Sequence, residues 1–517
     1  MPGHHSNPRK LRGRISISGE LQLTTVAHFG SGQARGDALV DMSLLVDDAD
    51  GVARALIPGT TIAGALRNYL REQLLGYEAP ESETEFTPIT YLFGPPRQAR
   101  DQRKGRGEQI GWDQSLLIVD DALVRPESQN LTLRDGVRID PETGTALVEQ
   151  RADDLEAGAK FDVELLGAGA IFDLHFELLW TERHPAEELL PYVVAALQGL
   201  ENGEIRLGLR KRRGYGQCRV RNWAVSQYDL MQPADLCAWL ETPTLAHRPN
   251  ARSGAQIAQV LQTTAPDEAD QRRQFRLNAT FGLAGSSVLI RSGFGEADSG
   301  PDMEHLHALN AEGKHVPVIS GTSWAGIMRH RALRIAKTLA GGNVDHGRGP
   351  EQMISALFGD MPEGTQRSKA SRVTVNETEV RYGQHLYQTR VRIDRFTGGA
   401  FPTGLFEQVP VYGRPETMID FALHIRDPKE YEIGLMLLVL KDLWTSDLPV
   451  GGEASVGRGR LQGIEAELRL PNQQPIMLTQ AQPALGITSE QRAYLQRKVD
   501  ALWQYLQPTT EDANATN

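Results

Sequence analysis

The feature that most constrains this chain is that it says the same thing twice. The segment IPGTTIAGALRNYLREQLL, beginning at Ile57, returns as ISGTSWAGIMRHRALRIA, beginning at Ile319, an offset of about 262 residues. Further matches follow in the same order: YLFG (91–94) with ALFG (356–359), and VRIDPETGTALVEQ (137–150) with VRIDRFTGGAFPTGLFEQ (391–408). A fourth pairs IRLGLRKRRGYGQCRV, near residue 210, with LPVGGEASVGRGRLQG, near residue 455. Four landmarks in one order define a tandem duplication, so any fold proposed for one copy must also serve the other. A length of 517 residues fits two large domains with extensions.

Each copy has the same rhythm: an alternating strand, a turn and helix, an irregular β-rich middle, a second helix and a strand. In the first copy ELQLTTVAHF (20–29) alternates as a half-buried strand. The helix after Gly59 repeats Ile62, Leu66, Tyr69, Leu70 and Leu74 on one side, with Thr60 or Thr61 placed to cap it. Second helices are expected at 185–200 and 428–444. This order predicts an α+β protein made of two tandem ferredoxin-like (β-α-β-β-α-β) domains with insertions in the middle of each. The expected boundaries are 1–227 and 274–470, joined by a linker at 228–273 that carries one docked helix. Residues 471–517 are read as a C-terminal helix and a tail, QPTTEDANATN, expected to be disordered. Thr488 and Gln491 form a capping box for that amphipathic helix, which is expected to pack on its own domain, or alternatively on a partner subunit.

The composition excludes several classes. Only Cys218 and Cys237 are present, with no CxxC pair or Cys/His set at zinc spacing, so both are read as core thiols. No charged-then-apolar leader opens the chain, and the apolar run IGLMLLVL (433–440) is far short of the roughly 20 residues a span needs. A cytoplasmic protein without membrane contact is therefore expected. There is no phosphate-binding P-loop, Rossmann fingerprint, nucleophile elbow or HExxH helix.

The formal net charge of -11 hides concentrations of opposite sign. In GLRKRRGYG, Gly208, Gly214 and Gly216 let backbone amides approach an anion, while Arg210, Lys211, Arg212 and Arg213 supply positive charge. Tyr215 offers a ring on which a base can stack. The second loop, GGEASVGRG, keeps Gly452 and Gly457 but has fewer cations, chiefly Arg458. A further basic run, PRQARDQRKGRG (96–107), extends the possible track for a sugar-phosphate backbone. The helix starts GTTIAGALR and GTSWAGIMR expose amides at the positive end of a helix dipole, through Thr60, Thr61, Thr322 and Ser323. Arg67 and Arg329 follow one or two turns later. Before each helix lies an acidic loop: Asp41 is 16 residues before Ile57 and Asp302 is 17 before Ile319, each followed by Met. Asp298 is a rival to Asp302 in the second loop. Beside bound RNA such a carboxylate can hold a hydrated divalent ion or help to activate a 2'-hydroxyl. EHLH (304–307) lacks a third ligand at metal-site spacing.

With these residues in place, the chain resembles the RAMP superfamily of CRISPR ribonucleoprotein subunits. The likeness lies in AHFGSG (27–32), DMSLLVDDADGVARALIPGTTIAGALR (41–67), LFG with SLLIVDDALV (115–124), the VRID segments and the glycine-rich loops. Having two copies, the chain looks like a fused pair of backbone subunits of a type III, III-D-like effector complex. That resemblance implies guide RNA, complementary target RNA and other effector subunits as partners. It implies a β-hairpin thumb per copy, adjoining the VRID segments, that wedges into the guide-target duplex. It also implies cleavage of target RNA at a loop aspartate with a divalent metal, Mg2+ or Mn2+, which by position selects Asp41 and Asp302. His28, in AHFGSG, falls on the implied RNA side. The copies differ: the second has no histidine matching His28, Pro141 answers Arg395, and Asn376 stands where the first copy has Asp120 or Asp121. The leading expectation is a guided endoribonuclease subunit. A structural RNA-binding subunit and a guide-processing ribonuclease are the alternatives.

Overall fold

A computed structural model describes residues 10–30, 41–49, 51–77, 79, 87–95, 114–137, 139–140, 148–150, 156–158, 160–243, 246–248, 251–291, 300–341, 349–360, 368–480 and 485–507. Asp298, Pro141, the basic run at 96–107 and the tail from 508 lie outside the described residues.

The first copy is built from β1 (Leu11–Leu23), α1 (Gly59–Leu75), β2 (Leu117–Val119), β3 (Ile171–Thr181), α2 (Ala186–Glu201) and β4 (Cys218–Asp229). The sheet order is β4-β1-β3-β2, all antiparallel. The second copy repeats this with β5 (Gln274–Leu283), α3 (Gly321–Ala340), β6 (Val373–Val375), β7 (Met418–Arg426), α4 (Glu430–Trp444) and β8 (Leu461–Arg469), in the order β8-β5-β7-β6. Two ferredoxin-like domains are thus in place. The short β2 and β6 arise because the long insertions of each copy leave and re-enter the sheet beside them.

The central strands behave as their alternation dictates. In β1, Ile15, Ile17, Leu21 and Leu23 are fully buried, and Ile17 lies opposite Phe176 on one side and Val225 on the other. The strand ends at Leu23, earlier than the expected 20–29, because Thr24 N turns to the Gln217 carbonyl at 2.8 Å. Beyond that turn, Ala27 bridges Leu166 in the inserted hairpin. Each sheet buries one face under its two helices, forming separate cores around Phe172, Phe176 and Trp223 in the first copy and Trp324, Phe281 and Phe421 in the second.

The segment between the copies is docked. A helix at Pro233–Glu241 follows β4, a strand at Arg252–Gly254 pairs with β4, and a short helix at Ile257–Leu261 buries Ile257, Val260 and Leu261 in the first core. After β8, the strand Ile476–Thr479 extends the second sheet, and the helix α5 (Ser489–Leu506) lies along α4. Leu502 and Leu506 enter the second core, and Tyr505 stacks on Tyr431 with ring centroids 3.9 Å apart. Thr488 and Gln491 form the expected capping box.

Candidate functional site

Each copy projects one antiparallel hairpin out of its sheet. In the first it is Leu131–Val137 paired with Lys160–Leu166, extended by Val148–Gln150 with Glu156–Gly158. In the second it is Gln388–Ile393 paired with Ala400–Val409. The second hairpin carries apolar side chains where no core exists to receive them: Phe396 at its tip is 100% exposed, Leu405 66% and Ile393 54%. Asp394 shapes the tip by accepting from Phe396 N at 2.7 Å and Thr397 N at 3.1 Å. Leu131 and Leu133 are similarly exposed on the first hairpin.

The candidate aspartates stand at the bases of these hairpins. Asp41 accepts a hydrogen bond from Asp162 N at 2.9 Å, and the next residue, Met42, bridges Val163 in parallel. Asp302 accepts from Glu407 N at 2.7 Å, and Met303 pairs in parallel with Gln408. The same carboxylate meets the same strand position in both copies, and both aspartates are exposed. A lone exposed carboxylate fits a hydrated hard cation that completes its shell with water and phosphate oxygens. It does not make a protein cage, and among the described residues no group of three or more His, Cys, Asp or Glu side chains is placed to hold a metal. The structure adds His385 to the EHLH segment, with its ring centroid 4.9 Å from that of His307. His305 is buried with neither ring nitrogen hydrogen-bonded, and burial pushes its pKa down to about 3.

The glycine-rich loops superimpose turn for turn. Arg210 and Glu453 both take the left-handed conformation, with φ of 54° and 56°. Gly214 and Gly457 follow at 86° and 83°, then Gly216 and Gly459 at 69° and 75°. A Cβ on Gly216 would strike the Leu207 carbonyl and one on Gly459 the Val450 carbonyl, so the second glycine of each loop is required. The slot between those glycines holds Tyr215 in one copy and Arg458 in the other, both buried. Tyr215 packs with Val26, Val163 and Leu165, so its ring is closed to a stacking base.

Charge separates the loops. In the second, Glu453 holds Arg390 at 3.1 Å and Arg458 at 3.0 Å, and Gln408 donates to it at 2.9 Å. In the first, Arg206 donates to Asn376 Oδ1 at 2.7 Å, and Arg212 reaches the Thr374 hydroxyl at 3.4 Å. Arg210 lies over the Phe161 ring at 4.7 Å. No carboxylate among the described residues pairs with Arg206, Lys211, Arg212 or Arg213. Burial, together with the nearby Arg212, pushes Arg206 down to about 10; burial also lowers Lys211, Arg212 and Arg213 from their ordinary values. A partly desolvated cation cluster without counter-charge is stabilised by any polyanion that reaches it.

The tertiary structure joins the predicted parts crosswise. The first copy's loop docks on the second copy's helix start: a Cβ on Gly321 would strike the Arg213 carbonyl, and one on Gly214 would strike Glu377 N. Thr322, Ser323 and Arg329 therefore stand beside Arg213, whose charge feels Arg329. Arg329 itself donates to the Gly359 carbonyl at 3.0 Å. Beneath the loop Arg134 forms a buried ion pair with Glu377, and Arg426 pairs with Glu72 across the same seam. Thr60 and Thr61 lie instead at the start of α1, away from this seam, and Arg67 sits at the middle of that helix. At its start α1 has no side-chain cap of its own: Asp121, from the neighbouring strand end, accepts from Gly59 N at 2.6 Å. In α3 Ser320 caps Ser323 N at 3.2 Å. Gly452, Gly457 and Arg458 lie at the second copy's far end. His28 is 3% exposed, its Nδ1 bonded to the Glu164 carbonyl at 2.8 Å, and its own carbonyl receives Leu209 N at 2.9 Å. It supports the basic loop from below.

Sequence reasoning missed Arg134, Glu377 and Arg206. Arg206 opens the very stretch that carries the basic loop, but its partner Asn376 is 170 residues away and no periodicity points to it.

A helix-flanked sheet in duplicate, each copy with a hairpin and a glycine-rich loop, defines a protein of two tandem ferredoxin-like domains. The RAMP superfamily profile matches residues 20–219 and 286–462, most of the chain, and the protein belongs to that superfamily. Membership points to a CRISPR-associated RNA-binding subunit. No curated protein matches the chain. No described helix is long and apolar enough to cross a membrane.

Proposed function

We propose that this protein is a backbone subunit of a type III CRISPR effector that holds guide RNA along its basic seam and cuts complementary target RNA beside each hairpin. The observation that carries the reading is the identical placement of Asp41 and Asp302 at the hairpin bases, each exposed and each fixed by one backbone amide. The cations of the first loop, of which Lys211, Arg212 and Arg213 meet no carboxylate among the described residues, form the guide track with the amides at the start of α3. An apolar hairpin tip such as Phe396 opens the stack of a duplex laid across it. A nucleotide freed from A-form geometry can align its 2'-oxygen, phosphorus and leaving 5'-oxygen, which a regular helix holds apart. The 2'-oxygen then attacks, its proton leaves, and the 5'-oxygen departs with a proton, giving a 2',3'-cyclic phosphate. Asp41 and Asp302 would hold a hydrated Mg2+ or Mn2+, which supplies charge stabilisation at the phosphate when bound. Sequence choice belongs to the guide, and the protein reads backbone and shape.

The test is cleavage by the assembled complex with guide and target. Asp41→Asn and Asp302→Asn should each remove a distinct subset of cuts, and the double variant all of this chain's cuts, while guide binding persists. Retention of every wild-type cut in both single variants would leave a structural RNA-binding subunit.

A further inference from the structure

The open face of the second sheet carries a row of cations that its twin lacks. Strand register sets Thr374 on β6, His424 on β7, Arg276 on β5 and Arg469 on β8 side by side, on the face turned away from the helices. The same register on the first copy gives Ile118, Glu177, Ser16 and Ser226. The duplication kept the scaffold and changed the charge. The first row has one carboxylate, held by Arg14 at 2.8 Å, whereas the second has two guanidinium groups directly opposite each other. Like charges at opposed positions destabilise a sheet, so this row is short of a counter-charge.

The chain supplies little of it. Arg469 has Glu467 at 2.9 Å on its own strand. Arg276 makes no ion pair among the described residues and donates to the Gln274 amide oxygen at 3.1 Å. His424 Nε2 is buried without a hydrogen-bond partner. Burial, with Arg276, Arg212, Arg206 and Arg272 around it, pushes His424 down to about 3, which keeps the ring neutral in a strongly positive surrounding.

The two faces also differ in what covers them. The linker closes the first: Trp239 lies 4.5 Å from the Arg14 guanidinium, and His247 bonds Ser18 at 2.6 Å and Ser226 at 3.0 Å. On the second, the Thr374 end is roofed by Arg212 and by Tyr77, just beyond α1. The Arg276 and Arg469 end opens into a cleft of about 460 Å³ between linker residues 270–274 and the turn at 470–472. Arg272 in its wall is neutralised by Asp270 at 2.6 Å and Glu204 at 3.0 Å. Arg273, 61% exposed, stands 3.6 Å from Asp427.

We infer that this cleft binds a nucleoside diphosphate or triphosphate, with Arg276 and Arg469 on adjacent phosphates and the His424 imidazole donating to one of them. Two guanidinium groups one strand apart, roughly 5 Å, suit two linked phosphates better than a single one. A cleft of this size takes a small ligand. The amides of Gln274 and Asn472 line it, but no aromatic ring does, so the phosphates are selected strongly and the base weakly. The site is independent of cleavage at Asp41 and Asp302.

The test is calorimetric titration of the full chain at about 150 mM salt, where loose attraction to surface charge is screened. One ADP should bind per chain, with UDP within a few-fold of it. Inorganic pyrophosphate should compete with ADP, and orthophosphate should bind about tenfold or more weakly. Arg276→Gln with Arg469→Gln should weaken ADP about tenfold or more, because each change removes a hydrogen bond to a charged group. Arg276→Lys, which keeps the charge, should stay within a few-fold of wild type. Melting curves by circular dichroism confirm folding, and Arg276→Gln alone replaces the double variant if that does not fold. A single-stranded RNA oligonucleotide added first should leave ADP binding in place. Failure of ADP to bind at about 1 mM would overturn the inference. So would unchanged affinity in the folded arginine variants, or full displacement of ADP by the RNA, which would make the row part of the strand's path.

Discussion

Replacing Glu377 by Gln should damage the seam more than replacing its partner Arg134 by Met. Both side chains are nearly out of water, at 8% and 5% exposure, and their charges are compensated by one another. A second guanidinium, Arg291, donates to the Asp135 carbonyl at 3.4 Å and feels both Arg134 and Glu377. Glu377→Gln leaves the buried Arg134 guanidinium, and the half-buried Arg291 near it, without their carboxylate, and breaking a buried pair in this way costs about 3–5 kcal/mol. Arg134→Met leaves Glu377 with Arg291 still beside it, and the cost should be smaller, about 1–3 kcal/mol. The double variant Arg134→Met/Glu377→Leu removes both charges and should recover much of the loss, a coupling of about 2 kcal/mol or more. Scanning calorimetry of the full chain reads this directly. For domains of this size the larger loss lowers the transition of the weakened unit by on the order of 10 °C. Equal costs for the two single variants, or a double variant that simply adds them, would refute the reasoning.

Replacing Lys211, Arg212 and Arg213 together by Gln should weaken guide-RNA binding and reduce the slope of log K against log salt by about 2, near 0.7 per lost contact on single strands. An unchanged slope in titrations across salt concentrations would remove this loop from the RNA track. Gly459→Ala places a Cβ against the Val450 carbonyl at a φ of 75° and should cost more than about 2 kcal/mol in urea unfolding. Gly326→Ala, on α3 with open space around it, should gain about 0.5–1 kcal/mol. Burial holds His305 and His424 near pKa 3, below the ordinary 6.5, with His307 beside the first and Arg276, Arg212 and Arg206 around the second. The unfolded chain therefore takes up protons that the folded chain refuses, and stability is full above about pH 6.5 and falls as pH drops toward 3. Each histidine should cost about 1.4 kcal/mol at pH 5.5, and the acid-side slope of unfolding free energy should flatten in His305→Phe and His424→Leu.

Much of the protein is written along the chain because it depends on neighbours in sequence. The duplication is visible as repeated words, and the strand-helix rhythm follows from alternation at Ile15 and Ile17 and from helical spacing at Ile62, Leu66 and Leu70. The capping box of α5 is local too, and so is the glycine pattern that forces both loops through left-handed backbone. The equivalence of Asp41 and Asp302 was legible from their spacing to the repeated helices, and the structure gives both the same hydrogen bond. Where the sequence expected Thr60 or Thr61 to cap α1, a carboxylate from a different strand end does so, because Asp121 is brought there by sheet pairing.

What only the tertiary structure decided is which copy's parts work together. The basic loop, read alone, belongs to the first copy, but folding sets it against the helix start of the second, where Gly214 and Gly321 permit backbone contact. Tyr215 looked like a platform for a base and became a core residue, since Val26 and Val163 converge on it from elements far apart in sequence. The residues that fix the seam, Arg134 with Glu377 and Arg206 with Asn376, lie 243 and 170 positions apart. Local periodicity fixes which face of a strand or helix turns inward, because that depends only on steps of two or 3.6 residues. The pairing of surfaces between two domains depends on the shape and charge each presents after folding, and that information does not exist until the sheets have closed.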